Sequence, residues 1–121
     1  MTGSPAVAVL TGDLFFRVRI ETVAEAAGVP VRFAGSAEEA RGAATVLVDL
    51  AEGERAIEAV AALKAGPDVP YVVGFGPHRE GEAFRNARAA GADLVLARSA
   101  FVERLPQLLR KGDPPRGGAD S

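Results

Sequence analysis

Residues 45–50, TVLVDL, are β-branched and apolar and end on an acid at Asp49. A run this short with no polar face reads as a strand covered on both sides. Strands of that kind belong to parallel sheets with helices on each face, and the flanking sequence repeats the pattern. Toward the C-terminus, residues 53–65 place Ile57, Val60, Ala61 and Lys64 on one helical stripe, and Gly66-Pro67 stops it. PYVVGF at 70–75 is a fourth strand. Residues 79–90 are helical with Phe84 and Ala87 inward and Gly91 as terminator. DLVLA at 93–97 is a fifth strand. Ser99 is the expected cap of a last helix carrying Phe101, Val102, Leu105, Leu108 and Leu109, which Pro106 should kink or divide.

Toward the N-terminus, SAEE at 36–39 has the capping-box pattern and opens a short second helix. Val31 and Phe33 alternate with Arg32 in a short second strand. Before it, Phe16, Ile20, Val23 and Ala27 share one face of a helix that Asp13 caps and Gly28 ends. VAVL at 7–10 is the first strand. A strand and a helix therefore alternate five times, an α/β pattern that predicts a parallel sheet in the order 2-1-3-4-5. The expected core is Val7, Val9, Ile20, Val46, Val48, Ile57, Val60, Val72, Phe84, Leu94 and Leu96. One domain over 1–111 is expected, with the Pro/Gly-rich stretch 112–121 as a disordered tail.

Composition narrows the chemistry. The chain has 121 residues, no cysteine and one histidine, so disulfides, thiolate sites and multi-histidine metal sites are excluded. A net charge of −2 gives no reason to expect nucleic acid or a membrane surface as partner. MTGSP at 1–5 has neither the basic nor the long apolar region of a signal peptide, so a cytoplasmic protein is expected.

In a sheet of this order, ligands meet the loops at the strand carboxyl ends. Those loops bring together Thr11, Gly12 and Asp13, then Asp49, then the loop from Gly74 through Gly76 to His78, then Arg98 and Ser99. Asp49 reads either as a reactive carboxylate or as an acid paired to Arg98 or capping its own loop. Asp13 reads as a helix cap or a metal ligand. Arg98 reads as an anion binder or as the ion-pair partner of Asp49. His78 reads as a solvated loop histidine or a group titrating near neutral pH. Gly74-Phe75-Gly76 lacks the third glycine of a dinucleotide fingerprint and follows the wrong strand. Phe16 fits the buried stripe, and Phe15 beside it must point elsewhere.

Over residues 6–110 the chain resembles the receiver domain of two-component response regulators. Asp13 stands where receivers place an acidic pair that holds magnesium, and Asp49 in VLVDL stands where they carry the phosphoryl-accepting aspartate. AGADLVLARS at 90–99 resembles the receiver stretch that runs through the fifth strand to Lys-Pro. The chain also resembles small receiver-like proteins with Asp-Leu-Phe-Phe near the start and Arg-Ser-x-Phe near the end. The likeness implies a flavodoxin-like doubly wound (βα)5 three-layer sandwich.

The departures are specific. A single Asp13 follows Gly12 where receivers have two acids. The strand-4 hydroxyl falls on Gly74 or Gly76. Lys-Pro becomes Arg98-Ser99. They leave Asp13, Asp49, Arg98 and Ser99 as a degenerate phosphoacceptor pocket. The expectation is a stand-alone signalling module, not an enzyme, that is not phosphorylated. It would bind a protein partner, or itself, through the fourth helix, fifth strand and fifth helix. One alternative is a magnesium-dependent phosphoacceptor, with Asp13 and Asp49 on the metal and Asp49 as nucleophile. Another is a small-anion or ligand binder at the crevice, using Arg98 and Ser99 with Gly76 and His78. No cofactor besides that magnesium ion is implied.

Overall fold

TVLVDL lies at the centre of a five-stranded parallel sheet in the order β2-β1-β3-β4-β5, as the alternation predicts. The computed structural model describes residues 7–77 and 81–111, with side chains described as far as Leu109. In chain order the elements are β1 (Val7–Leu10), α1 (Leu14–Ala27), β2 (Val31–Phe33), α2 (Ala37–Ala40) and β3 (Thr45–Asp49). A 3-10 turn (Leu50–Glu52) follows, then α3 (Glu54–Ala65), β4 (Tyr71–Gly76), α4 (Glu82–Ala90), β5 (Leu94–Ala97) and α5 (Arg98–Lys111). The expected tail 112–121 and His78 lie outside the described residues. No helix among the described residues is long and apolar enough to cross a membrane.

The strand period of two sorts the core into two layers. Val46 and Val48 face one side with Ala8, Leu10, Val72 and Val95, and pack against Ala56, Val60 and Leu63 of α3 and Phe84 and Ala87 of α4. Leu47 faces the other side with Val7, Val9, Val73 and Phe75, against Phe16, Ile20 and Ala24 of α1 and Phe101, Leu105, Leu108 and Leu109 of α5. Each fully buried Leu, Ile or Phe contributes about 1.5–3 kcal/mol by leaving water.

Eight of the expected core residues are buried, and Ile57, Leu94 and Leu96 are only half-buried. Leu94 and Leu96 belong to β5, an edge strand paired on one side alone. On α3 the buried stripe is Ala56, Val60 and Leu63, one residue earlier than the sequence suggests. Ala61 is exposed, and Ile57 and Lys64 sit at the margins. On α1 the stripe is Phe16, Ile20 and Ala24, with Val23 and Ala27 half-buried beside it.

The helix ends follow the chemistry. Asp13 caps α1, and Gly28 ends it at φ 72°. Ser36 Oγ accepts from the Glu39 amide, while Glu39 reaches back to the Gly35 amide, so the capping box is closed one residue early. The last helix departs from expectation. It starts at Arg98 directly after β5, so Ser99 lies inside its first turn, and it runs unbroken through Pro106.

Candidate functional site

Asp49 ends the central strand and is 1% exposed. Its Oδ2 accepts the Thr11 hydroxyl at 2.7 Å and its Oδ1 accepts the Ala51 amide at 2.9 Å. The second bond caps the 3-10 turn, so one carboxylate both ends β3 and starts the next loop. Thr11 Oγ1 in turn accepts the Asp13 amide at 3.1 Å. A short relay therefore ties the end of β1 to the end of β3.

Asp13 spends Oδ1 on the amides of Phe15, at 2.9 Å, and Phe16, at 3.3 Å. Its Oδ2 lies 3.7 Å from Arg98 Nη2. The expected Arg98–Asp49 pair is thus not formed; Arg98 pairs with Asp13. The reason is where α5 begins. With no linker after β5, Arg98 starts the helix on the α1 side of the sheet, and its guanidinium settles 4.8 Å over the Phe16 ring. Arg98 Nε is buried with no hydrogen-bond partner. The Arg98–Asp13 pair has both side chains about two-fifths exposed, where such pairs are worth about 0–1 kcal/mol.

The β4 neighbour of Asp49 is Phe75, not Gly74 or Gly76. Phe75 stacks on Phe101 at 4.0 Å between centroids and an interplanar angle of 11°, and lies 5.2 Å from the Phe16 ring. An aromatic cluster therefore stands where the receiver likeness implies a hydroxyl. Gly74 and Gly76 serve packing on the opposite face. A Cβ at Gly74 would lie 3.3 Å from the Leu50 methyls, and one at Gly76 would lie 3.2 Å from the Phe84 ring. Gly76 is buried under these apolar groups and opens no crevice, and Ser99 is exposed on α5.

Glu52 is a site residue that the sequence did not announce. Its Oε2 accepts the Gly12 amide at 2.9 Å, and a Cβ at Gly12 would lie 2.8 Å from that oxygen. The Glu52 carboxylate thus fills the space of the side chain that Gly12 lacks. The only hint in sequence is its place three residues after Asp49. Among the described residues no group of three His, Asp or Glu side chains is placed to hold a metal ion. The carboxylates of Asp13 and Asp49 suit magnesium poorly. Each of their oxygens already faces a hydrogen-bond donor or the Arg98 guanidinium, and magnesium asks for near-octahedral oxygen coordination.

The loops at the strand ends thus join Thr11, Asp13, Asp49 and Arg98 with Gly12 and Glu52, and leave Ser99 aside. No family model matches the sequence, and no curated protein matches it. Solved structures do match. A response regulator from Thermotoga maritima superposes with a TM-score of 0.70 at 20% identity, over 91% of this chain and 98% of that one. A response regulator receiver domain protein from Methanospirillum hungatei gives 0.70 at 14% identity, over 91% and 97%. A response regulator from Burkholderia pseudomallei, solved with a phosphorylated aspartic acid and a calcium ion, gives 0.70 at 24% identity, over 88% of this chain and 66% of that one. The chain therefore has the flavodoxin-like fold of response-regulator receiver domains.

Proposed function

We propose that this chain is a receiver-like signalling module of the cytoplasm that works by binding a protein, without catalysis and without taking a phosphoryl group on Asp49. The observation that carries the reading is the setting of Asp49, buried with both oxygens bonded and with Phe75 as its neighbour on β4. A phosphoacceptor needs an accessible carboxylate, a cation to offset charge, and donors for the phosphoryl oxygens. Here Arg98, the candidate donor, is turned onto Asp13 and Phe16. The same pairing argues against an anion site built on Arg98 and Ser99. We place the partner contact on α4, β5 and α5, extended by Leu14, Phe15 and Val18 at the start of α1. Those three side chains are 72%, 68% and 61% exposed, on a helix that packs beside α5.

The second reading, a magnesium-dependent phosphoacceptor, draws on the Thr11 relay that links Asp13 and Asp49. Titration with magnesium and beryllofluoride, followed by amide NMR, separates the two. The proposal expects the amides of Thr11, Asp49 and Ala51 to stay in place. Saturable shifts of all three, absent in Asp49→Asn, would favour the phosphoacceptor.

A further inference from the structure

A concavity opens from the Thr11, Gly12, Asp49 and Glu52 side of the strand-end site and extends over the α2–α3 side of the sheet. Its volume is about 530 Å³, within the range of small-molecule sites. It exists because α2 is short and α3 is rich in alanine. α2 has four residues and α3 has twelve, or about 6 Å against 18 Å of helix. After Ala40 the chain leaves the helix at Arg41, so α2 shields only part of its neighbour. Ala56, Ala59 and Ala62 line the space from α3, and Ala34 and Ala37 line it from the β2–α2 side. Larger side chains at these positions would fill it. Leu10 and Val48 of the sheet complete the apolar walls.

Thr11 and Ser36 add hydroxyls, and the charged groups are few and mostly of one sign. Asp49, Glu52 and Glu58 line the cavity against the single guanidinium of Arg55. Asp49 is buried with both oxygens bonded and only backs the cavity, whereas Glu52 spends Oε2 on the Gly12 amide and keeps Oε1 for a ligand. Glu58 has no hydrogen-bond or ion-pair partner among the described residues. Apolar walls with an excess of carboxylate at the rim suit a positively charged head on an apolar body.

We propose that this cavity binds a small organic cation, a primary amine or amidine carried on a compact ring. The apolar body lies along the alanine methyls of α3, and the cationic head meets Glu52 and Glu58.

The test uses the full chain labelled with ¹³C at alanine methyls, since five alanines line the cavity. The probe is tryptamine. Indole-3-acetate is the same ring with opposite charge, and spermidine is a cation without an apolar ring. Tryptamine is expected to shift the methyls of Ala34, Ala56, Ala59 and Ala62 saturably. Indole-3-acetate and spermidine are each expected to bind about tenfold more weakly or worse. Glu58→Gln, an exposed change that keeps the fold, should weaken tryptamine about three- to tenfold. Ala59→Leu should abolish the shifts by filling the space. The idea fails if tryptamine does not saturate by about 10 mM, a ceiling on useful affinity. It also fails if indole-3-acetate binds as tightly, if the shifting methyls lie outside the cavity, or if Glu58→Gln changes nothing.

Discussion

The aromatic cluster beside Asp49 makes a quantitative prediction. Phe75 and Phe101 stack at 4.0 Å and are both fully buried, with Phe16 leaning on each at 5.2 and 6.2 Å. Replacing one ring by leucine keeps most of the volume and costs about 1 kcal/mol in fit. The lost aromatic pair adds about 0.5–1.5 kcal/mol. Phe75→Leu and Phe101→Leu should therefore each cost about 2 kcal/mol. The double variant should cost about 3 rather than 4, because the pair is lost once, which leaves a coupling of about 1 kcal/mol. With a urea slope of about 1.5 kcal/mol per molar, each single variant lowers the unfolding midpoint by about 1.3 M. Far-UV circular dichroism in urea reads all four proteins of the cycle. Coupling below about 0.3 kcal/mol, or a Phe75→Leu cost below about 0.5, would show that the rings do not act together and would refute the reasoning.

Asp13→Ala should cost about 1 kcal/mol by urea unfolding and Asp13→Asn only a few tenths, because the α1 cap matters more than the Arg98 pair; equal costs would reverse that order. Gly91→Ala should cost about 1–3 kcal/mol in thermal unfolding, since Gly91 sits at φ 117° and an added Cβ would lie 2.9 Å from Lys64 Cγ. Tyr71, the sole tyrosine, has its phenol pushed above 10.0 by burial, with the Asp93 carboxylate adding and Arg104 opposing. The neutral phenol therefore stabilises the fold fully below pH about 10, and that contribution is lost as pH rises through the folded value. Absorbance titration of the phenolate should give a midpoint above 10, and Tyr71→Phe should flatten the alkaline fall in stability; a midpoint at or below 10 would contradict this.

The sheet order was legible because its evidence is local. Short apolar runs alternate with periodic helices, and Asp13, Gly28, Ser36 and Gly91 mark helix ends by their own backbone chemistry. The partner of Arg98 was not legible, because it depends on whether α5 starts two residues sooner. Starting at Arg98 instead of after Ser99 swings the guanidinium toward Phe16 and Asp13. The β4 neighbour of Asp49 was missed for a similar reason. Two glycines flank Phe75, and only the strand register says which residue stands opposite. On α3, Ile57 drew the stripe toward itself by size, while the close approach of helix and sheet selected the small Ala56. The α2–α3 cavity is a property of what several alanines leave unfilled, and single-chain periodicity does not register empty space.

In the proposed function, Asp49 is a structural carboxylate within a receiver fold. Intact-mass spectrometry after incubation with acetyl phosphate and magnesium tests it most directly, with Asp49→Asn run beside it. Both proteins should keep an unchanged mass. A stable gain of one phosphoryl group on the native chain, absent from Asp49→Asn, would contradict it.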